Sequence, residues 1–176
     1  MISLSFDPDK YWSINMFLNT DEKLRIKIQR MQHPDLEAVL KIENSFPHPW
    51  SRTHFEQSLK FHNECFVLIL QDTKEIVGYF IGTPGEGEYN VHNIVIDAKH
   101  HRKGFATAMF RLVVKNHFKK FQNYFLEVRK GNTSAIELYY KLGFKVISIR
   151  KDYYSNPTED AFVMKFSLLD NIALND

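Results

Sequence analysis

The sequence predicts an α/β domain, with one sheet of mixed strand direction and helices on both faces. Three observations predict it. Strand-like and helix-like segments interleave in the order β α α β β β α β α β β, which a single layered sheet accommodates. Two adjacent strand segments stand at hairpin spacing and must pair antiparallel, while later strands alternate with helices. Finally, 176 residues with 44% hydrophobic and 14% aromatic side chains supply one real core and leave little room for two domains.

Residues 1–24 show no clear periodicity and mix Asp7-Pro8-Asp9 with scattered aromatics, so they read as an extension laid on the domain or partly disordered. The domain itself is expected over residues 25–168, with a tail at 169–176. From Arg25 to Met31 the residues alternate as a half-buried strand does, and Asp35 stands where it would cap a helix carrying Leu36, Val39, Leu40 and Ile42. Phe46-Pro47-His48-Pro49-Trp50 ends that helix, and Ser51 is placed to cap a second one carrying Phe55 and Leu59.

Strand segments follow at residues 65–71 and 75–83, separated by Asp72-Thr73-Lys74, which predicts an antiparallel hairpin. A polar loop, residues 84–88, leads to a strand over 89–97. Ala106, Met109, Phe110, Val113 and Val114 then recur at helical spacing. A strand at 124–129, a helix at 133–142, and strands at 144–150 and 161–168 complete the chain.

Several function classes are disfavoured by composition. The longest unbroken apolar run, Cys65 to Leu70, falls far short of the roughly 20 residues that cross a bilayer. Asp7 and Asp9 stand where a secretory signal would carry basic residues, so no membrane role is expected and the chain reads as cytoplasmic. The single cysteine, Cys65, allows no internal disulfide, fits a reducing compartment, and opens an apolar strand as a small buried hydrophobe rather than a nucleophile. Formal net charge is +2, too small to call for nucleic acid despite Arg102-Lys103 and Lys119-Lys120.

His100-His101-Arg102-Lys103-Gly104-Phe105-Ala106-Thr107 lies between a strand and a long helix. A helix start offers unpaired backbone N–H groups and partial positive charge, Gly104 and Ala106 allow close approach, and Arg102 and Lys103 add formal charge. A diphosphate fits that chemistry; a solvated basic helix start is the plainer alternative. Adjacent His100 and His101 point different ways with no third ligand at metal spacing, so no metal is expected. The glycine spacing matches neither a Walker loop nor G-x-G-x-x-G.

Glu127 alternates with Leu126 and Val128, so it faces the opposite side of its strand. Alone, it reads as a catalytic carboxylate, as a solvated edge residue, or as a structural partner for Arg129 or Lys145. Tyr139 has Ile136 and Gly143 one turn away on either side, which turns its ring inward; buried tyrosines at such positions are commonly core. Trp50 is open to the same reading.

His101-Arg102-Lys103-Gly104-Phe105-Ala106 resembles the phosphate-cradling motif of the GNAT acyltransferases, Gln/Arg-x-x-Gly-x-Gly/Ala, departing at its first position, where His101 replaces Gln or Arg. Three further segments resemble the RimI-type subgroup, which acetylates the N-terminal amine of a ribosomal protein. They are His92-Asn-Ile-Val-Ile-Asp97; Leu126-Glu-Val-Arg129 through Asn132 to Leu138-Tyr-Tyr-Lys-Leu-Gly-Phe144; and Arg150-Lys-Asp-Tyr-Tyr154 with Glu159-Asp-Ala161 and Met164.

The resemblance covers residues 25–168 and implies a single GNAT-like domain whose sheet is largely antiparallel, with splayed central strands. It implies acetyl-CoA as co-substrate, its diphosphate on the backbone of Arg102, Lys103, Gly104, Phe105, Ala106 and Thr107. The pantetheine arm is implied to pair with Ile94, Val95 and Ile96 as an added strand, and Asn132 to contact the cofactor.

By the same resemblance Glu127 is the general base, Tyr139 the general acid, and the acceptor groove runs between the Phe46–Trp50 turn and Tyr153 with Tyr154. His48 and Pro49 are extra residues in that turn. The implied partner is a protein N-terminus, in particular a ribosomal protein, and the implied state is a monomer or weak homodimer. A small-amine acceptor and a CoA-binding module without chemistry remain the competing readings.

Overall fold

The computed structural model describes residues 3–7, 11–17, 23–61 and 63–172. Nine strands run along them: β1 (Ser3–Asp7), β2 (Tyr11–Phe17), β3 (Lys23–Arg30), β4 (Glu64–Leu70), β5 (Ile76–Pro84), β6 (Glu88–Ile96), β7 (Asn123–Arg129), β8 (Lys145–Ser155) and β9 (Thr158–Ser167). The helices are α1 (Leu36–Glu43), α2 (Arg52–Lys60), α3 (Phe105–His117), α4 (Thr133–Leu142) and a short α5 (Leu168–Ile172). The strands hydrogen-bond in the order β1-β2-β3-β4-β5-β6-β7-β9-β8. Of the pairings with a described register, β6–β7 is parallel and the others are antiparallel, so the expected mixed, largely antiparallel sheet is what forms.

Contacts cluster into two units: the chain up to Gly82 with Asn93–Met109, and Thr83–His92 with the chain from Phe110. In the first, alternation along β3, β4 and β5 points Val67, Tyr79 and Ile81 toward Leu36 and Val39 of α1 and Phe55 of α2, with Met31 and Cys65 in the same cluster. Ser51 caps α2 as expected, its side chain accepting the His54 N–H. Asp35 does not cap α1: its carboxylate accepts the Gln32 N–H at 2.8 Å and closes a 3-10 turn, His33–Asp35, that precedes the helix. Pro34 suits that tight turn because a backbone N–H, which proline lacks, would have no partner at this position.

Cys65 is a free, buried thiol, pushed up to about 11 mainly by burial, so it sits protonated in the core as a small hydrophobe.

The second unit is held by aromatic rings. Tyr124 of β7 faces Phe166 of β9 in register, and Phe110 of α3 packs on Tyr124, Phe144 and Phe166 at ring separations of 5.2–5.8 Å. Tilted and edge-on pairs of this kind add about 0.5–1.5 kcal/mol each beyond the area they bury. Helix α4 spans the residues its periodicity predicted and ends at Gly143 with φ +96°, the left-handed position that lets Gly143 and Phe144 return N–H groups to the last turn.

Three further differences from the sequence expectation stand out. Residues 3–7 and 11–17, expected as an aperiodic extension, form an antiparallel strand pair continuing onto β3. Strand β8 runs on to Ser155, past the expected end at residue 150, with register shifts against β9 that an alternation pattern cannot reveal. Helix α5 occupies part of the expected tail; residues 173–176 lie outside the described residues.

Candidate active site

In the first unit, β6 ends at Ile96 and the chain turns through Asp97–His101 into the Arg102–Gly104 loop before α3. Arg102 has φ +60° and Gly104 φ +79°. Left-handed residues in alternation turn successive N–H groups toward one side and form an anion-binding concavity, here continuous with the first turn of α3 at Phe105, Ala106 and Thr107. Arg102 adopts this conformation despite its Cβ, a local strain of the sort retained at working sites. A glycine-containing loop at a helix start, carrying the two basic residues Arg102 and Lys103, fits a diphosphate.

His101 faces elsewhere. Its Nε2 lies 2.7 Å from the Ile96 carbonyl oxygen, and its ring stacks on Phe46 with centroids 6.1 Å apart. The motif's departing residue therefore ties the Phe46–Trp50 turn to the end of β6.

The other end of that turn is tied by a residue that sequence reasoning missed. Glu43 is 4% exposed, and one of its carboxyl oxygens accepts the Trp50 N–H at 2.8 Å. The other accepts the Tyr79 hydroxyl, whose oxygen in turn accepts the Asn93 amide at 2.8 Å. A glutamate four residues after buried Val39, on the apolar side of α1, was the available signal. Trp50 is partly buried, packing on Phe55 with ring centroids 5.7 Å apart. Tyr79→Phe is expected to lower stability by about 1–3 kcal/mol, because a buried carboxyl oxygen and the Asn93 amide lose their partner; a chemical denaturation midpoint checks it.

In the second unit, Leu126 and Val128 are buried while the side chain of Glu127 keeps 32% of its surface, on the opposite side of β7. Neither expected structural partner takes Glu127. Arg129 ion-pairs with Glu159 at 3.1 Å, and Lys145 lies 3.8 Å from Asp170. The partner is Arg150 of β8, reaching past β9 to Glu127 at 3.0 Å, with its guanidinium also over the Tyr153 ring. Arg129 has a different task. It donates to the Asn156 and Pro157 carbonyls at the β8–β9 turn and lies over the Tyr154 ring, 4.1 Å from its centroid.

Tyr154 is thereby fixed half-buried, edge-on to exposed Tyr153, its phenol pushed up to about 12 by burial first and then by Tyr153, with Glu127 and Glu159 adding and Arg129 opposing.

Tyr139 is 6% exposed and packs edge-on against Phe144, as its helical position predicts, whereas neighbouring Tyr140 is 54% exposed. Burial, with a smaller contribution from Tyr154, holds the Tyr139 phenol well above the usual range, so it keeps its proton. Asn132 spends its side-chain oxygen on capping α4, accepting the Ala135 N–H at 3.2 Å. Among the described residues no group of three His, Cys, Asp or Glu is placed to hold a metal, and no helix is long and apolar enough to cross a membrane.

This fold and these motifs are those of an acyl-transferring enzyme. The chain belongs to the Acetyltransferase (GNAT) family, whose model matches residues 36–144, and is an acetyl-CoA-dependent N-acetyltransferase. It is similar to the ribosomal protein bS18-alanine N-acetyltransferase of Escherichia coli K12, 30% identical over 146 residues covering 78% of this chain and 94% of the relative. It is also similar to an N-alpha-acetyltransferase of Saccharolobus solfataricus, 28% identical over 145 residues, 74% of this chain and 86% of the relative. The crystal structure of the ribosomal-protein-S18-alanine N-acetyltransferase from Escherichia coli superposes with a TM-score of 0.71 at 28% identity, covering 81% of this chain and 94% of that one.

Proposed function

We propose that the acceptor is the N-terminal α-amine of a protein, a ribosomal protein in particular, with Glu127 as general base and Tyr139 as general acid. The observation that carries this reading is the placement of Glu127. It is a partly open carboxylate projecting from the side of β7 opposite buried Leu126 and Val128, in a setting furnished by Arg150, Tyr153 and Tyr154, where Glu159 is taken up in an ion pair with Arg129. A pocket for polyamines or aminoglycosides would instead gather several carboxylates. One named relative is described as acting on an alanine of ribosomal protein bS18 and the other as an N-alpha-acetyltransferase, which supports an α-amine acceptor.

Acetyl-CoA supplies an acetyl group already activated as a thioester, so no enzyme nucleophile is called for. Arg102 to Thr107 hold its diphosphate on backbone N–H groups, and the backbone of Ile94 and Val95, with Ile96, offers strand-like hydrogen bonds to its arm. The Phe46–Trp50 turn, held by Glu43 and His101, is one candidate for contacting the acceptor, and Tyr153 with Tyr154 is another. A terminal α-amine has a pKa of roughly 7.7–8.0, so a modest base suffices. Glu127 accepts its proton, directly or through water, as the new C–N bond forms. The buried phenol of Tyr139 keeps the proton that the departing thiolate requires.

The direct test is incubation with acetyl-CoA and a peptide whose N-terminus is that of bS18, with mass spectrometry to locate the acetyl group. Acetylation of the α-amine is expected; its absence, with acetylation of a small-amine panel, overturns the acceptor assignment. Tyr139→Phe is expected to lower kcat about 10-fold with little change in the KM for acetyl-CoA, less than loss of Glu127 does, because a thiol of pKa near 8.5 is a moderate leaving group. Steady-state thiol release measures both constants.

A further inference from the structure

Parallel pairing of β6 with β7 has its last aligned pair at Asn90 and Phe125. Two residues further along each strand stand His92 and Glu127, at equivalent positions in the two-residue period. Burial along β6 slips phase here: Tyr89 and Val91 are buried, then Ile94 and Ile96, so His92 and Asn93 are consecutive residues that are both off the buried set. His92 is among the exposed residues of the strand. Its Nε2 lies 2.7 Å from the Thr83 hydroxyl oxygen. A hydroxyl both donates and accepts, so by turning about its bond Thr83 holds the ring in either charge state.

Although the residue is exposed, the surrounding protein is close enough for desolvation to lower the His92 imidazole below its usual range, and the negative charge of Glu127 acts in the opposite direction.

We propose that His92 is the second proton acceptor of the reaction, acting through Glu127. The proposal rests on the α-amine reading above. A peptide α-amine that arrives as an ammonium gives up two protons while the N–C bond forms and the C–S bond breaks. The thiolate takes one proton back, from Tyr139, which is then reprotonated by the base pair; one proton leaves for solvent. A carboxylate holds a single proton, so Glu127 alone cannot take the second before it has discharged the first. A neutral imidazole within reach of its charge can, and the imidazolium formed is stabilised by the Glu127 carboxylate. The other charged or titratable groups bearing on this pair are Arg150, bound to Glu127, and Tyr154, whose phenol feels the Glu127 charge. A guanidinium has no acceptor site, and Tyr154 stays neutral across the working range, so neither duplicates the acceptor role.

Two measurements on the full chain test this. NMR titration of the His92 ring in the wild type and in Glu127→Gln, without any substrate, reads the coupling directly. The His92 pKa is expected to fall in the variant, because the charge that raises it is gone; an unchanged titration overturns the proposal. The second is the pH profile of kcat/KM for peptide acetylation by His92→Gln. At about pH 6.5, where nearly all the α-amine is ammonium, a loss of about 10-fold or more is expected, closing toward wild type at about pH 9, above the amine's pKa of roughly 7.7–8.0. The KM for acetyl-CoA should stay constant. Parallel profiles at every pH overturn the proposal. A wild type that acetylates no peptide α-amine overturns the acceptor assignment instead, and the substrate-free titration still decides for or against His92.

Discussion

Glu127→Gln is expected to lower kcat by about 10²- to 10⁴-fold and to move the pH optimum upward, since a positioned general base is worth about that factor. The substitution keeps the shape of the side chain and an oxygen that can still accept the Arg150 guanidinium, 3.0 Å away in the wild type. What it removes is the ability to take a proton. The variant then depends on substrate that arrives already neutral, a fraction that rises with pH through the α-amine pKa of roughly 7.7–8.0. A kcat profile from about pH 6 to pH 10 measures it. If the profile keeps its shape, the base is another group, and the case built on β7 fails.

Gly78→Ala is expected to lower stability by about 1–3 kcal/mol, the usual cost of overpacking a filled site. A Cβ on Gly78 would lie 2.5 Å from Ile96 Cδ1 and 2.7 Å from the Val95 carbonyl oxygen. The isoleucine tip can rotate away; the carbonyl cannot, because Asp97 is bonded to the Val77 carbonyl beside it and fixes the strand. The strain therefore lands on the backbone that the proposed function assigns to the acetyl-CoA arm. Thermal unfolding should shift down by about 2–12 °C for a chain of this size. In the fraction that stays folded, the KM for acetyl-CoA should rise more than the KM for peptide. An Ala variant with unaltered stability and KM would mean that Val95 is free to move.

Much of the site is local in sequence, and that part was legible. The cradle is a run of residues from Arg102 to Thr107, and its glycine and helix start follow from backbone chemistry alone. Glu127 had to face away from Leu126 because a strand has a period of two, and Tyr139 had to turn inward because a helix has a period of 3.6. Both side chains are placed as those periods require, one partly open and the other buried.

Partners were a different matter. Arg129 and Lys145 were reasonable candidates for Glu127 from nearness in sequence, yet Arg150 reaches it from a strand beyond β9. Alternation names the face a residue occupies without naming the strand alongside. The Glu43–Tyr79–Asn93 chain joins residues 36 and 14 positions apart and is hidden for the same cause. Residues 3–7 and 11–17 carry too weak an alternation to declare themselves as strands before β3 is there to pair with.

By itself the sequence determined the α/β class, the helix and strand succession from Arg25 onward, the diphosphate-fitting loop, and the facing of Glu127 and Tyr139. Each depends on local backbone geometry or on short periodicity, which neighbouring residues settle among themselves. Only the tertiary structure decided that Arg150 holds Glu127, that Glu43 and His101 pin the two ends of the Phe46–Trp50 turn, and that the β6–β7 pairing ends two residues short of both His92 and Glu127. Those outcomes depend on strand order, register and a phase slip in β6, and such features are set by pairing between distant segments whose free energies no single segment contains.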